Sequence, residues 1–160
     1  NNVNFVRDVM ENPRFIEGDL STAFIPEEYP DGFHGHVLEP VQKSQLVAAA
    51  ASMLFDTWSR EGSISGQLPS HENTMRDENI VVSIGDEDFE CTVDVDPSSG
   101  DGIVVTYGDK QHRVNYEWFP GEPVFDSSID DNKVIIQVVE NLYNGFVVKH
   151  VGSQYTVKAQ

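Results

Sequence analysis

The chain has a single cysteine, Cys91, among its 160 residues. No internal disulfide can form, so the fold must hold by burial and hydrogen bonding, and nothing demands an oxidising compartment. Basic residues are scarce: 10 Lys and Arg against 27 Asp and Glu leave a net charge of −17. That deficit excludes a sequence-independent grip on nucleic acid, which needs cations to displace phosphate counterions. It also argues against docking on an anionic membrane surface. Long apolar runs are missing. The nearest approach, Leu46 to Phe55, is interrupted by Ser52 and ends at Asp56, short of the ~20 residues that cross a bilayer. The sequence begins Asn1-Asn2-Val3 with no basic segment leading into an apolar one. It therefore carries no visible signal peptide and reads as a piece of something longer.

Catalytic signatures are equally sparse. Gly-x-Gly-x-x-Gly and the P-loop pattern are absent, so no glycine-rich cradle for phosphate is present. In Gly62-Ser63-Ile64-Ser65-Gly66, Ile64 stands where a Gly-x-Ser-x-Gly nucleophile would be. Met10, Met53 and Met75 are the only methionines, and none lies in an Ala-Met-Lys-Met sequence that would accept biotin. The five histidines, His34, His36, His71, His112 and His150, lack zinc-ligand spacing and read as surface or loop residues. Cys91 alternates with Phe89, Val93 and Val95 on the inward side of a strand, which makes it a small core residue. A reactive thiol needs an electropositive site, whereas Asp77 to Asp109 holds ten carboxylates and no Lys or Arg. Within that stretch, Asp94 to Asp101 falls short of a calcium loop. Ser99 and Val105 occupy the positions where an EF-hand requires glycine and a bidentate Glu. Glu90, Thr92, Asp94 and Asp96 are expected to share the solvated face of their strand.

What is present is ample apolar material: 39% hydrophobic and 10% aromatic residues, enough for one packed domain. The pattern is helical before about residue 62 and strand-like after about 79. Asn4 to Glu11 has helical spacing, and Asn12-Pro13 is expected to stop it. A shorter helix is expected between Asp19 and Pro30, capped by Ser21 or Thr22. From Pro40 to Arg60 there is no glycine and no further proline, and Ala48 to Ala51 sit in the middle. That helix would be about 30 Å long. Its apolar positions wrap nearly all round it, so protein must enclose it. Only strands are available downstream to do so. Eight follow at meander spacing: Ile80 to Ile84, Phe89 to Asp96, Ile103 to Tyr107, Gln111 to Trp118, Pro123 to Ile129, Val134 to Val139, Phe146 to Val151 and Tyr155 to Ala159. The expected fold is α+β: short helices, then one long central α-helix surrounded by an eight-stranded antiparallel β-barrel.

Arg14-Phe15-Ile16-Glu17-Gly18-Asp19-Leu20-Ser21-Thr22-Ala23-Phe24-Ile25 resembles the closing segment of a biotin carboxylase domain. Glu28-Tyr29-Pro30-Asp31-Gly32-Phe33-His34-Gly35 continues as the α subunits of propionyl-CoA carboxylases do. Ile64-Ser65-Gly66, Gly102-Ile103-Val104-Val105 and His112-Arg113-Val114 through Trp118 are similar to the region that follows. That region is the mediating, or BT, domain of these biotin-dependent carboxylases. The resemblance implies that residues 1–36 are the helical C-terminal end of a biotin carboxylase domain and residues 37–160 a BT domain. In that family the BT domain is a long helix inside an eight-stranded barrel.

The resemblance further implies an assembly role in a hetero-oligomer. The holoenzyme would use ATP with Mg, bicarbonate and biotin to carboxylate propionyl-CoA. This chain would hold no cofactor and no catalytic residue. It would join the biotin carboxylase and biotin carrier domains of its own chain to a carboxyltransferase β subunit. Family members reach that subunit through the connection after the long helix, the hook. The resemblance puts its counterpart at Glu61 to Glu78, with Ile64, Leu68, Pro69, His71, Met75 and Arg76 as candidate contacts. A long connection without regular structure is itself usually functional or disordered. The compartment implied is the mitochondrial matrix, or the cytoplasm in a bacterium. Two alternatives stand beside this reading. One is a methylcrotonyl-CoA carboxylase α subunit. The other is a hot-dog thioesterase, in which Asp56 with Glu61 or His71 would supply a general base.

Overall fold

The computed structural model describes residues 3–33, 38–64, 78–96 and 102–159. The chain divides into two compact units, Asn1–Leu38 with Val151–Ser153, and Glu39–His150 with Gln154–Gln160.

The first unit carries α1 (Val3–Glu11), α2 (Pro13–Glu17) and α3 (Phe24–Glu28). Asn12-Pro13 ends α1 as expected but also starts α2, a helix that the proline conceals in the sequence. The Asn12 side chain accepts a hydrogen bond from the Arg14 backbone N–H at 2.9 Å. Pro13 sits in the first turn, where its missing N–H has no partner to lose. Neither Ser21 nor Thr22 is the N-cap of α3. That position is Ala23, and Ser21 Oγ accepts from the Ala23 N–H at 3.2 Å. Arg14 ties the unit together, reaching Asp19, Glu27 and Glu28 at 3.1, 3.0 and 2.9 Å and lying over the Phe24 ring.

The second unit is built on α4 (Pro40–Ile64). Gln42 Oε1 accepts from the Glu39 N–H at 3.0 Å, one half of a capping box. The helix runs four residues past the expected end at Arg60. All ten residues from Leu46 to Phe55 are at most 8% exposed, so every face of this stretch is covered. Ser52, the one hydroxyl among them, donates to the Ala48 carbonyl at 2.7 Å and leaves no polar atom orphaned there. The cover is a closed barrel of eight strands in chain order. They are β1 (Glu78–Ile84), β2 (Glu87–Val95), β3 (Ile103–Tyr107), β4 (Lys110–Glu117), β5 (Val124–Ile129), β6 (Asn132–Leu142), β7 (Gly145–His150) and β8 (Ser153–Ala159). Closure is made by β1 and β8, with Val82 opposite Ala159 and Ile84 opposite Val157. Inward residues such as Val82, Val93, Val105, Val114, Phe125 and Val157 are fully buried. The small alanines of α4 leave room for these larger side chains. At Gly145 the two backbones come so close that an added Cβ would lie 2.0 Å from the Val157 carbonyl oxygen, so only glycine fits.

The alternation in β2 holds through Val93 and then lapses. Val95, expected inside, is 43% exposed, whereas Asp96, expected outside, is 2% exposed. The strand ends at Val95, and Asp96 turns under the sheet. Its N–H donates to the Gly102 carbonyl at 2.8 Å, and its carboxylate meets the Arg113 guanidinium at 2.8 Å. A buried carboxylate requires such a cation. Cys91 is in the core, 2% exposed, with burial pushing its thiol up to about 12.

The alanine belt generates a prediction. Ala49 is fully buried, so Ala49→Leu should overpack the barrel and cost about 1–3 kcal/mol. Val41→Leu, on a residue 65% exposed, should leave stability within about 0.5 kcal/mol. Urea unfolding of both variants checks this; equal stability would mean that the barrel is not closed tightly on the helix.

Candidate functional site

Each end of α4 is pinned to the barrel by polar side chains. At its start, Ser44 Oγ accepts from the Tyr107 hydroxyl at 2.6 Å and from the Lys110 ammonium at 2.9 Å. Lys43 reaches Glu87 at 2.6 Å and lies over the Phe89 ring. His112 stacks on Tyr107 and contacts Asp130 through Nδ1 at 2.6 Å. At the other end, Arg60 Nε donates to Asp56 at 2.7 Å, one helical turn back. Its guanidinium stands 4.6 Å from the centre of the Phe119 ring, within cation–π range. The half-buried Tyr116 hydroxyl is pushed above the ordinary tyrosine range, first by burial and then by the Asp56 charge.

These groups are committed to one another. Asp56, the base that a thioesterase reading requires, is held by Arg60. Its proposed helpers do not join it in view: His71 lies outside the described residues, and so does the side chain of Glu61. His34 and His36 are also outside them. The remaining histidines depart from the surface reading. His112 has only 14% of its side chain exposed, and His150 is buried. Among the described residues, no three His, Cys, Asp or Glu side chains converge as a metal site. The Asp94 to Asp101 loop falls largely outside the described residues.

The Arg60–Phe119 stack marks where α4 leaves the barrel. The helix continues to Ile64, and the connection to β1 follows. Of the expected contact residues, Leu68, Pro69, His71, Met75 and Arg76 lie outside the described residues, and Ile64 is placed only as the last residue of α4. Sequence reasoning missed the anchoring cluster of Asp56, Arg60, Tyr116 and Phe119. The Asp56/Arg60 spacing of four was legible as a helical ion pair, but its partners on β4 and beyond depend on barrel register.

The sequence profile of the propionyl-coenzyme A carboxylase BT domain matches residues 46–160. The propionyl-CoA carboxylase alpha chain of Ruegeria pomeroyi is 34% identical over 157 residues, covering 98% of this chain and 22% of that relative. The mitochondrial alpha chain of Rattus norvegicus is 28% identical over 159 residues, covering 98% of this chain and 21% of its own length. The human mitochondrial alpha chain is 48% identical over a shorter stretch of 52 residues, 32% of this chain. The chain thus spans about a fifth of the length of the first two relatives.

His150 supplies a prediction. Burial holds its imidazole below the ordinary 6.5, and the Gln42 backbone, which favours the protonated form, offsets this only in part. Below pH 6.5 the unfolded chain takes up a proton that the folded chain refuses, so stability present above that pH is lost as pH falls. The loss should stay under about 1.4 kcal/mol per pH unit, the one-proton limit. His150→Gln should reduce the stability difference between pH 7.5 and 5.5. Urea unfolding at the two pH values measures it, and an unchanged difference would assign the acid limb to other groups.

Proposed function

The chain belongs to the propionyl-CoA carboxylase BT domain family, and from that premise we propose that it is a non-catalytic assembly domain of a carboxylase α subunit. Its task is to dock the α subunit onto a carboxyltransferase β subunit. The observation that carries the reading is the filled barrel. Side chains of α4 and the inward residues of the strands fill the interior together, and Ser44, Lys43, Asp56 and Arg60 are all paired at its ends. That leaves the described core of the barrel no open interior in which a reaction could be housed. The profile match and the alpha-chain relatives support the same reading.

In this proposal the holoenzyme is a biotin-dependent ligase that carboxylates propionyl-CoA with ATP, Mg, bicarbonate and biotin. In this reading no chemical step runs through the present residues, which carry no biotin-attachment sequence. Residues 1–36 would be the helical end of the biotin carboxylase domain and residues 37–160 the BT domain. Ile64, Leu68, Pro69, His71, Met75 and Arg76 would meet the β subunit. Relatives named as mitochondrial and a bacterial relative support the matrix and the bacterial cytoplasm as alternative compartments.

The test uses the full-length α chain. Leu68→Asp places a charge in an apolar contact and should weaken binding to the purified β subunit at least tenfold, the scale of an interface hot spot. ATP-dependent carboxylation of free biotin by the same variant should be unchanged. Calorimetric titration and a half-reaction assay read the two quantities. Wild-type affinity together with wild-type propionyl-CoA carboxylation would remove the connection from the interface.

A further inference from the structure

Asn144-Gly145 is the only Asn-Gly pair in the sequence, and the barrel fixes both of its members. Tyr143 and Asn144 join β6 to β7, with Leu142 paired to Gly145. Gly145 cannot be exchanged, because a Cβ there would lie 2.0 Å from the Val157 carbonyl oxygen. Asn144 clasps the end of β8. Its backbone carbonyl accepts from the Ala159 N–H at 2.8 Å, and its side-chain amide donates to the Ala159 carbonyl at 3.1 Å. Asparagine is a thermolabile residue, and here it stands before the one residue type whose backbone nitrogen no side chain shields.

The turn suits its strands poorly. Two-residue hairpins favour turns with positive φ, whose twist matches that of the sheet. Asp130 and Asp131, between β5 and β6, adopt such values at 50° and 65°. Neither Tyr143 nor Asn144 lies in that region, a choice that splays the strands, and β6 is already bulged between Val138 and Glu140. The Tyr143 ring is wholly in solvent, and Asn144 is exposed. A turn of this kind opens locally at a smaller free-energy cost than unfolding the barrel.

We propose that Asn144 is a modification site, at which the chain deamidates spontaneously through Gly145, and that the clasp on Ala159 gates the reaction. When the turn opens, the Gly145 nitrogen gives up its proton and attacks Cγ of Asn144. A C–N bond forms, the side-chain nitrogen leaves with that proton as ammonia, and a five-membered succinimide remains. Water then opens the ring at either carbonyl, giving aspartate or isoaspartate. One water is consumed, one ammonia is released, and nothing is oxidised or reduced. The new carboxylate has no N–H to offer the Ala159 carbonyl, and isoaspartate also lengthens the backbone between Leu142 and Gly145. Either product loosens the start of β7 from the end of β8. This inference is independent of the assembly role.

Trypsin isolates the site in residues 134–149, between Lys133 and Lys149, together with Asn141. Asn141 is the internal control: it is exposed too, but the Leu142 side chain hinders attack by the nitrogen that follows it. The purified full-length α chain is held at mildly alkaline pH, folded or in concentrated urea, and peptide mass spectrometry follows conversion of amide to acid at each asparagine. In the folded chain Asn144 should convert at least tenfold faster than Asn141, and at least fivefold more slowly than in urea. Conversion no faster than that of Asn141 overturns the site, and equal rates with and without urea overturn the clasp as its gate. Asn144→Asp, which is one of the products, should melt at a lower temperature than Asn141→Asp. Equal melting temperatures overturn the loosening. If Asn144→Asp does not fold, Asn144→Ala against Asn141→Ala makes the same comparison, since it removes the amide donor without adding charge.

Discussion

The structure depends on one constraint: a helix without a polar face cannot be left in water. The stretch from Leu46 to Phe55 is buried all round, and an open sheet covers only one side of what it packs on. Closing the sheet answers two demands together. It covers the helix fully, and it pairs the backbone groups that the first and last strands would otherwise present to solvent. Ala48 to Ala51 set the separation, because larger residues there would force the wall outward. Gly145 and the β1–β8 pairing are consequences of that tight fit. So is the burial of Cys91, which faces the core and is 2% exposed.

Much of this was legible in the sequence, for identifiable reasons. The barrel strands alternate under turn signals such as Gly85-Asp86 and Gly108-Asp109, and period-two alternation survives any uncertainty about register. The apolar belt of α4 demanded enclosure whatever the topology. Other features escaped because they depend on contacts distant in sequence. Asp96 looked solvated until its position opposite Arg113, two strands away, gave a buried carboxylate its cation. The hidden helix α2 was missed because proline reads as a terminator, although at a first turn it starts a helix equally well. The anchoring cluster required knowing that Tyr116 and Phe119 arrive beside Asp56 and Arg60. The expected partner contacts, Leu68 to Arg76, fall outside the described residues, so for them the family resemblance remains the argument.

The two ends of the barrel differ. Residues beside the tight acidic turns Gly85-Asp86 and Gly108-Asp109 hold the start of α4. At the opposite end, among the described residues, the connection from β4 to β5 is longer and leaves Phe119 58% exposed. The charge of −17 keeps the surface hydrated and opposes self-association.

The pairing of β1 with β8 also governs how the domain can come into being. Val82 waits for Ala159, at the far end of the strand series, and until then the sheet has a gap along one side of the helix. A nascent chain emerging from the ribosome therefore displays part of an apolar helix for as long as the intervening strands take to be made. Non-local closure of this sort is slow, and it leaves partly folded chains open to aggregation. The seam that makes the finished barrel edgeless thus makes its biosynthesis the period of greatest exposure, when a chaperone would have most to shield.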